Sequence, residues 1–477
     1  MTLGSGGTRA PTQRALPGFL YSLLGRALRA SARLVVLFFV ARHYEVQDVA
    51  TFAVLTVVAA LVGYVADLGL GELLVREIAA GGARSAALEA KALAIRVVLL
   101  PIGVLLAYGL AVVIDSRTAW PALGTIAFAS SVVAADFMAS VQRGHGRYDL
   151  EALESSMPIL GVAAALAFAT FSRASFDRFE LVLGVFSFGP VASRCAALLR
   201  RARLGGALTA PLAPTIGETV RASRWFLAKA LVQWALFESP VILVRRLGDD
   251  NAAALFALAL RPVGLLTHPF QAISLVFYPA LAHARTVSND AFRRSIRRLN
   301  RISLLLVPGG FAGSLLAGHW LLGVPGGSYL AALPVLAILA SAYLLYLGPP
   351  NGVPLVVMEQ ERTTVMAAAV GILVLLAASL WLVPSMGAVG GALALGAGLA
   401  TVKLAYGVAY VRARIPLWDG GQVAPALATT LLLAVPWVVS GWLAAGLLAT
   451  VGATSVWLTM RLINRTVLFA TDAPSPS

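Results

Sequence analysis

The sequence predicts an all-α integral membrane protein of about 14 transmembrane helices. Only 12% of its 477 residues are charged and 59% are apolar, against about 25% and 45–50% in an ordinary soluble domain. Mean hydropathy is +0.84. The charges fall in short blocks between apolar runs of bilayer length, too sparse to cover a water-soluble fold.

A helical span needs about 20 mainly apolar residues. That length, applied along the chain, places spans near 18–41, 50–67, 95–114, 119–141, 156–172, 180–198, 223–244, 252–283, 302–323, 330–358, 363–383, 387–410, 423–439 and 442–460. The uncharged run between Arg301 and Glu359 holds two of them, turning near Val324-Pro325-Gly326-Gly327. The run from Gly420 to Met460 holds the last two, divided between Pro436 and Gly441. The fifth span is short; the eighth and tenth are unusually long.

Orientation follows from Lys and Arg, which cytoplasmic loops retain. With the N-terminus inside, cytoplasmic segments hold most of the basic residues, including Arg200, Arg201, Arg203 and the cluster Arg293, Arg294, Arg297, Arg298. The outer loops hold Arg42, Arg117, Arg173, Arg178, Arg245 and Arg246. Both termini are therefore expected in the cytoplasm. The first apolar run is interrupted by three arginines and lacks an A-x-A site, so no cleavable signal is expected. Arg outnumbers Lys 34 to 3, a composition of GC-rich bacterial genomes, which makes the bacterial inner membrane the expected location. A net charge of +15 would point to nucleic acid in a soluble protein. Here it marks membrane topology, and no nucleic-acid partner is expected.

Catalytic signatures are missing. Cys195 is the single cysteine, so there is no disulfide and no CxxC metal site, and an unpaired Cys in an apolar segment reads as packing. The chain has no HExxH, GxSxG or GxxxxGK[ST]. We expect no catalytic residue, no metal and no cofactor.

An internal repeat appears at a shift of 204 residues. Val40-Ala41-Arg42-His43-Tyr44-Glu45 lies over Val244-Arg245-Arg246-Leu247-Gly248-Asp249, and Ala50-Thr51-Phe52-Ala53 over Ala254-Leu255-Phe256-Ala257. Both copies join the first and second helices of a six-helix block. Six is even, so the expectation is two parallel repeats, forming N- and C-lobes around a central cavity against which they can rock. A C-terminal helix pair completes the fold. The implied layout is a tail at 1–17, an N-lobe at 18–199, a basic linker at 200–222, a C-lobe at 223–412, the helix pair at 413–462 and a tail at 463–477.

Several motifs recur in an order that resembles the polysaccharide (O-antigen-type) flippases of the multidrug/oligosaccharidyl-lipid/polysaccharide exporter superfamily. They are Ala41-Arg42 with Glu45, Asp48 and Ala50-Thr51-Phe52; Asp67-Leu68-Gly69-Leu70 with Val75-Arg76-Glu77; Tyr278-Pro279-Ala280-Leu281-Ala282; and Gly387-Ala388-Val389-Gly390-Gly391-Ala392. Ala50 and Ala254 stand where that family often has Gly, and Glu238 where it often has Asp. The resemblance covers residues 18 to about 412. It implies a transporter, not an enzyme, whose substrate is an anionic polyprenyl-pyrophosphate-linked oligosaccharide for surface polysaccharide biosynthesis. It also implies membrane lipids, a polysaccharide polymerase and glycosyltransferases as partners.

Charge inside a bilayer costs at least about 2.5 kcal/mol per residue, so each intramembrane ion needs a reason. The bases are Arg26, Arg29, Arg33, Arg96, Arg194, Lys229, Arg261 and Lys403; the acids are Asp136 and Glu238. Residues 26, 29 and 33 step by three and four and share one face of the first helix. An aqueous cavity accepts that stripe and lipid does not, although arginines near a helix end can snorkel to the headgroups. With Lys229 and Arg261 on helices seven and eight, Arg29 and Arg33 make an anion-attracting lumen, arginine supplying the planar fork that suits phosphate. Asp136 and Glu238 are the candidates for proton or sodium coupling. Leu347-Gly348-Pro349-Pro350-Asn351-Gly352 breaks helix ten, removing helix hydrogen bonds where no lipid can replace them. Pro349, Pro350 and Gly352 are the candidate hinge, and the break is expected to face the protein interior or the cavity. Gly387, Gly390 and Gly391 read as close-packing positions.

Three rivals remain at this point: a lipid II flippase, a cation-coupled multidrug extruder of the same superfamily, and a membrane glycosyltransferase or polymerase. The extruder would favour an acidic or aromatic cavity. The enzyme would show a large outer loop with catalytic acids, and every outer loop here is short.

Overall fold

The computed structural model describes residues 15–79, 85–114, 119–204, 216–265 and 267–415. Every regular element among them is a helix. Ten helical segments are long and apolar enough to cross a bilayer. The last of these reverses at its middle, and the first helix of the chain, made more polar by its arginine stripe, stands outside that set. With both counted, each of the twelve spans expected between residues 18 and 410 has a helical counterpart. The spans expected at 423–439 and 442–460 lie outside the described residues, as do most of both tails and of the linker.

The first lobe contains α1 (Ala15–His43), α2 (Val46–Asp67), a short α3 (Leu70–Ala79), α4 (Ser85–Ile114), α5 (Ala122–Gly144), α6 (Tyr148–Ser172) and α7 (Phe176–Leu204). Within it α1 packs on α6, α5 on α6 and α7, and α2 on α4 and α5. The second contains α8 (Ile216–Phe237), α9 (Pro240–Leu247), α10 (Asp250–Leu265), α11 (Thr267–Val287), α12 (Asn289–Gly323), a 3₁₀ turn (Gly327–Ala332), α13 (Leu333–Leu347), α14 (Val353–Val357) and α15 (Glu361–Arg412). Here α15 packs on α8, α9 and α13, and α12 on α11 and α13. The second helix of each repeat, α2 and α10, meet along the lobe boundary. Ala53, Val57 and Ala60 of α2 and Ala253, Ala257 and Leu260 of α10 are all buried.

Several helices outrun the apolar windows that located them. The fifth span runs Tyr148–Ser172 and not 156–172, the third starts at Ser85, and the ninth starts at Asn289, carrying Arg293, Arg294, Arg297 and Arg298 as helical residues. Apolarity marks where a helix lies in hydrocarbon; the backbone bonding that makes it a helix continues into water. The long eighth and tenth spans are corrected in the other direction. Residues 252–283 form two helices, α10 and α11, with Pro269 in the first turn of the latter. Residues 330–358 form α13 and α14 separated at Gly348–Gly352. The seventh span likewise divides: Pro240 has no N–H to continue α8, and α9 restarts there with Glu238 and Ser239 left at the joint.

The repeat is visible in backbone detail. Glu45 caps α2 through its side chain, with Asp48 answering on the Glu45 N–H. At the aligned position, Asp249 Oδ1 accepts the Ala252 N–H at 2.6 Å and starts α10. The preceding turns close alike, Tyr44 N–H on the Val40 carbonyl at 3.0 Å and Gly248 N–H on the Val244 carbonyl at 2.9 Å. We call the face bearing these two turns the turn face, and the opposite one, where α7 ends and α8 begins, the linker face. At the linker face Gly69 (φ +72°) lies so close to α8 that a Cβ there would stand 2.6 Å from the Leu227 nitrogen.

Of the glycines after Pro384, Gly390 and Gly391 are the close-packing positions expected, and Gly387 is a turn instead. Gly387 (φ 53°, ψ −125°) reverses α15, so its halves return antiparallel as spans eleven and twelve. Gly390 lies against the Leu382 carbonyl, Gly398 against Gly371, and Gly391 against Val244 and Phe256.

Candidate functional site

The centre of the molecule is a charge cluster made by both lobes. Arg33 of α1 points at Glu238, Nη1 to Oε1 3.8 Å. Arg261 of α10 donates to the other carboxylate oxygen, Nη1 to Oε2 3.0 Å, and its Nη2 lies 3.5 Å from Thr56 Oγ1 of α2. Glu238 is presented there because Pro240 ends α8 just beyond it. Trp234, one turn earlier, donates its indole N–H to the Val57 carbonyl of α2 at 2.9 Å and fixes that helix end against the first lobe. The three charged side chains retain 12–20% of their exposure, so the cluster is neither sealed nor open. Two guanidinia share one carboxylate, and Arg33 Nε is buried without a hydrogen-bond partner among the described residues. Tyr64, one helical face away on α2, lies within electrostatic reach of Arg33 and Glu238.

The rest of the arginine stripe turns toward the first lobe. Arg29 pairs with Asp136 of α5. Arg26 lies among Arg29, Asp136, Arg143 and Glu151, and Arg143 holds Glu151 through Nη2 at 2.6 Å. Arg96, fully buried, donates to the Gly63 carbonyl at 3.0 Å with Asp67 at 3.8 Å. Arg194 holds Glu154 through Nε and Nη2 at 3.0 and 2.9 Å. Lys229 is half-buried on α8.

The structure therefore brings Arg33, Arg261 and Glu238 together, and separately Arg29 and Asp136. The membrane interior is less basic than a count of eight bases against two acids implies. Asp67, at the last residue of the expected second span, and Glu151 and Glu154, outside the apolar windows, stand on the helices and pair with Arg96, Arg143 and Arg194. Glu180 is a further buried acid in α7, accepting Thr125 Oγ1 at 2.7 Å. Its signal was its place at the first residue of an apolar run, where an acid reads as interfacial. Cys195 is buried against Met138, Sγ to Sδ 3.6 Å.

Lys403 is elsewhere. On the second half of α15 it is buried, and its ammonium donates to the carbonyls of Tyr346 (3.0 Å), Gly348 and Pro350 (2.6 Å). Those are the freed carbonyls of the break that holds Pro349, Pro350 and Gly352. The break faces the protein interior, as the cost of bare carbonyls in hydrocarbon requires. Tyr410, two turns on, donates to the Asn351 carbonyl at 2.9 Å. Among the described residues no cluster of His, Cys, Asp and Glu is placed to hold a metal.

The sequence model of the family described as "Polysaccharide biosynthesis protein" matches residues 15–284. No curated protein sequence matches the chain. Among solved structures, the inward-facing conformation of a multidrug resistance MATE family transporter of the MOP superfamily is similar at a TM-score of 0.62 and 13% identity, over 85% of this chain and 98% of that one. The lipid II flippase MurJ, in its inward closed conformation, is similar at 0.62 and 11%, over 94% and 99%. A MOP superfamily transporter from Pyrococcus furiosus, described as having a binding pocket of reverse polarity, follows at 0.58 and 13%, over 85% and 96%. At these identities the structures establish a shared two-lobed fold.

Proposed function

Because the chain belongs to the polysaccharide biosynthesis protein family, whose fold it shares with MOP-superfamily transporters, we propose that it is a flippase. Its substrate in this reading is a polyprenyl-pyrophosphate-linked oligosaccharide, moved across the bacterial inner membrane for surface polysaccharide. It works beside the glycosyltransferases and polymerase that make and extend that oligosaccharide. The observation that carries this is the convergence of Arg33 and Arg261, from opposite lobes, on the single carboxylate of Glu238.

Two guanidinia on one carboxylate leave a net positive charge where the lobes meet. A diphosphate presents more acceptor oxygens than Glu238 does, and charge-assisted bonds to it are among the stronger polar contacts. The headgroup takes over Arg33 and Arg261, Arg29 and Lys229 add to the field, and the lipid tail stays in the bilayer. Rocking of the lobes, with Pro349, Pro350 and Gly352 as hinge, exposes the headgroup on the far side. Glu238, left by Arg33 and Arg261, and Asp136, as Arg29 is drawn toward the headgroup, become available to bind a proton or sodium ion, which is the coupling role we give them. In this reading the linker face is cytoplasmic, and the lobes, linker, helix pair and tails divide as 18–199, 200–222, 223–412, 413–462, 1–17 and 463–477.

A lipid II substrate is the second reading, favoured by the 94% of this chain that overlays the lipid II flippase; its diphosphate would engage the same arginines. Arg33→Ala and Arg261→Ala should abolish surface polysaccharide while leaving membrane abundance near wild type. Lysine at either site should rescue in part, since it keeps the charge and loses the fork. Lys229→Gln should do less harm. Normal export from both alanine variants would sink the mechanism. Accumulated peptidoglycan precursor with intact surface polysaccharide would select the second reading.

A further inference from the structure

The break in span ten has a chemistry of its own. In a continuous helix the carbonyl of residue i accepts the N–H of residue i+4. Here position 350 is proline, so the Tyr346 carbonyl has no helical donor, and position 354 is proline, so neither has the Pro350 carbonyl. Prolines four apart thus orphan two carbonyls on one side of the chain. Gly348, between them, is extended (ψ 179°) and turns its own carbonyl out of any helical ladder. All three oxygens converge on one point, and at that point sits the Lys403 ammonium.

The surroundings are those of an ion site. Lys403 is 8% exposed. Among the described residues no carboxylate pairs with it. An ammonium has three N–H donors, and all three are used. Tyr406 and Tyr410 follow Lys403 on the same helix face, Tyr406 against Gly352 and Tyr410 on the Asn351 carbonyl. Neutral carbonyl dipoles replacing the water shell of a buried monocation are how backbone sites bind alkali ions.

We propose that the break between α13 and α14 is a monovalent-cation site of the potassium or ammonium class, and that Lys403 is its tethered resident cation. A covalently held ion cannot leave. This site therefore stays occupied through the transport cycle and keeps the break open as the place where span ten can hinge, and a mobile coupling ion acts elsewhere in the chain. The inference does not depend on what substrate the protein carries.

The test uses the purified full chain in detergent, and its readout is the melting temperature. Lys403→Ala removes the ammonium and leaves room for a free ion. Its melting temperature should fall by several degrees and rise again, saturably, with ammonium, methylammonium or potassium chloride, but not with choline chloride at equal ionic strength. Wild type should be indifferent to the cation. A Lys403→Ala melting temperature that does not distinguish these salts from choline, or a wild type that responds as strongly, overturns the proposal. Should the alanine variant not fold, two variants of similar length decide. Lys403→Gln keeps an N–H₂ group and Lys403→Met keeps none, so the order should be Lys above Gln above Met. Methionine as stable as lysine or glutamine would show that the side chain merely fills space, and would overturn the proposal too.

Discussion

Arg33 of α1 and Glu238 at the α8–α9 joint face one another across the lobe boundary at 3.8 Å, while Glu238 keeps its shorter contact, 3.0 Å, for Arg261 of its own lobe. The arrangement is unequal. Loss of Arg33 leaves a neutral pair; loss of Glu238 leaves two guanidinia confined together with no counter-charge.

The variants should therefore rank. Removing one partner of a fully buried pair costs about 3–5 kcal/mol, and the residual exposure here reduces that figure. Glu238→Ala should lower the melting temperature of the purified protein more than Arg33→Ala. The double variant Arg33→Ala/Glu238→Ala should lie above Glu238→Ala alone. A double variant lower than either single would show that the two side chains stabilise through separate contacts.

Close backbone packing gives a second expectation. A Cβ on Gly124 would overlap the Glu180 carbonyl, and Gly184 rests against Gly124 itself, so α5 and α7 touch backbone to backbone. Among the described residues, Gly109 of α4 has nothing within 4 Å of the same added atom. Gly124→Ala should abolish folded protein in the membrane fraction. Gly109→Ala should be neutral or slightly stabilising, since alanine favours a helix interior by about 1 kcal/mol. Equal expression of the two would mean that α5 and α7 separate at little cost.

At the turn face the lobes reach for each other. Arg42 Nη1 donates to the Val324 carbonyl at the end of α12 (3.3 Å), and Arg246 Nη2 to the Val113 carbonyl at the end of α4 (3.4 Å). Arg245 adds a bond to Thr51 at 3.1 Å. Exposed bonds of this kind are weak singly. Arg42→Ala or Arg246→Ala alone should change little, and the pair together should raise thiol labelling of a cysteine placed at Thr56 in a Cys195→Ala background. Unchanged labelling in the double variant would remove these arginines from any closing role.

Topology is tested in the same background. Ser295→Cys lies on the first turns of α12 between Arg294 and Ile296. It should resist impermeant thiol reagents in intact cells and react after permeabilisation. Ready labelling of intact cells would invert the orientation given above.

The spans were legible because hydrocarbon imposes length and apolarity on every crossing. Helix ends were less so: Glu151 and Glu154 belong to α6, yet an acid outside an apolar window looks like loop. That is also why the basic excess was overread, since the counter-charge of Arg194 is one of those same acids, Glu154. Breaks were marked by Pro240, Pro269 and Pro350, but proline says only that a bond is missing. What replaces it was out of reach: Lys403 stands 53–57 residues from the carbonyls it serves, and no local pattern encodes such a pairing. Glu238 was found by its charge; its two partners came only with the fold.

The reciprocal reach of Arg42 and Arg246 has an implication for assembly. When residue i of one body contacts j of another, and the equivalent of i contacts the equivalent of j, the interface is isologous, as in a two-fold homodimer. These arginines, 204 residues apart, each touch the end of the third helix of the opposite repeat. The boundary between the lobes is thus a dimer interface written into one polypeptide. Halves of this chain expressed separately should find each other in the membrane.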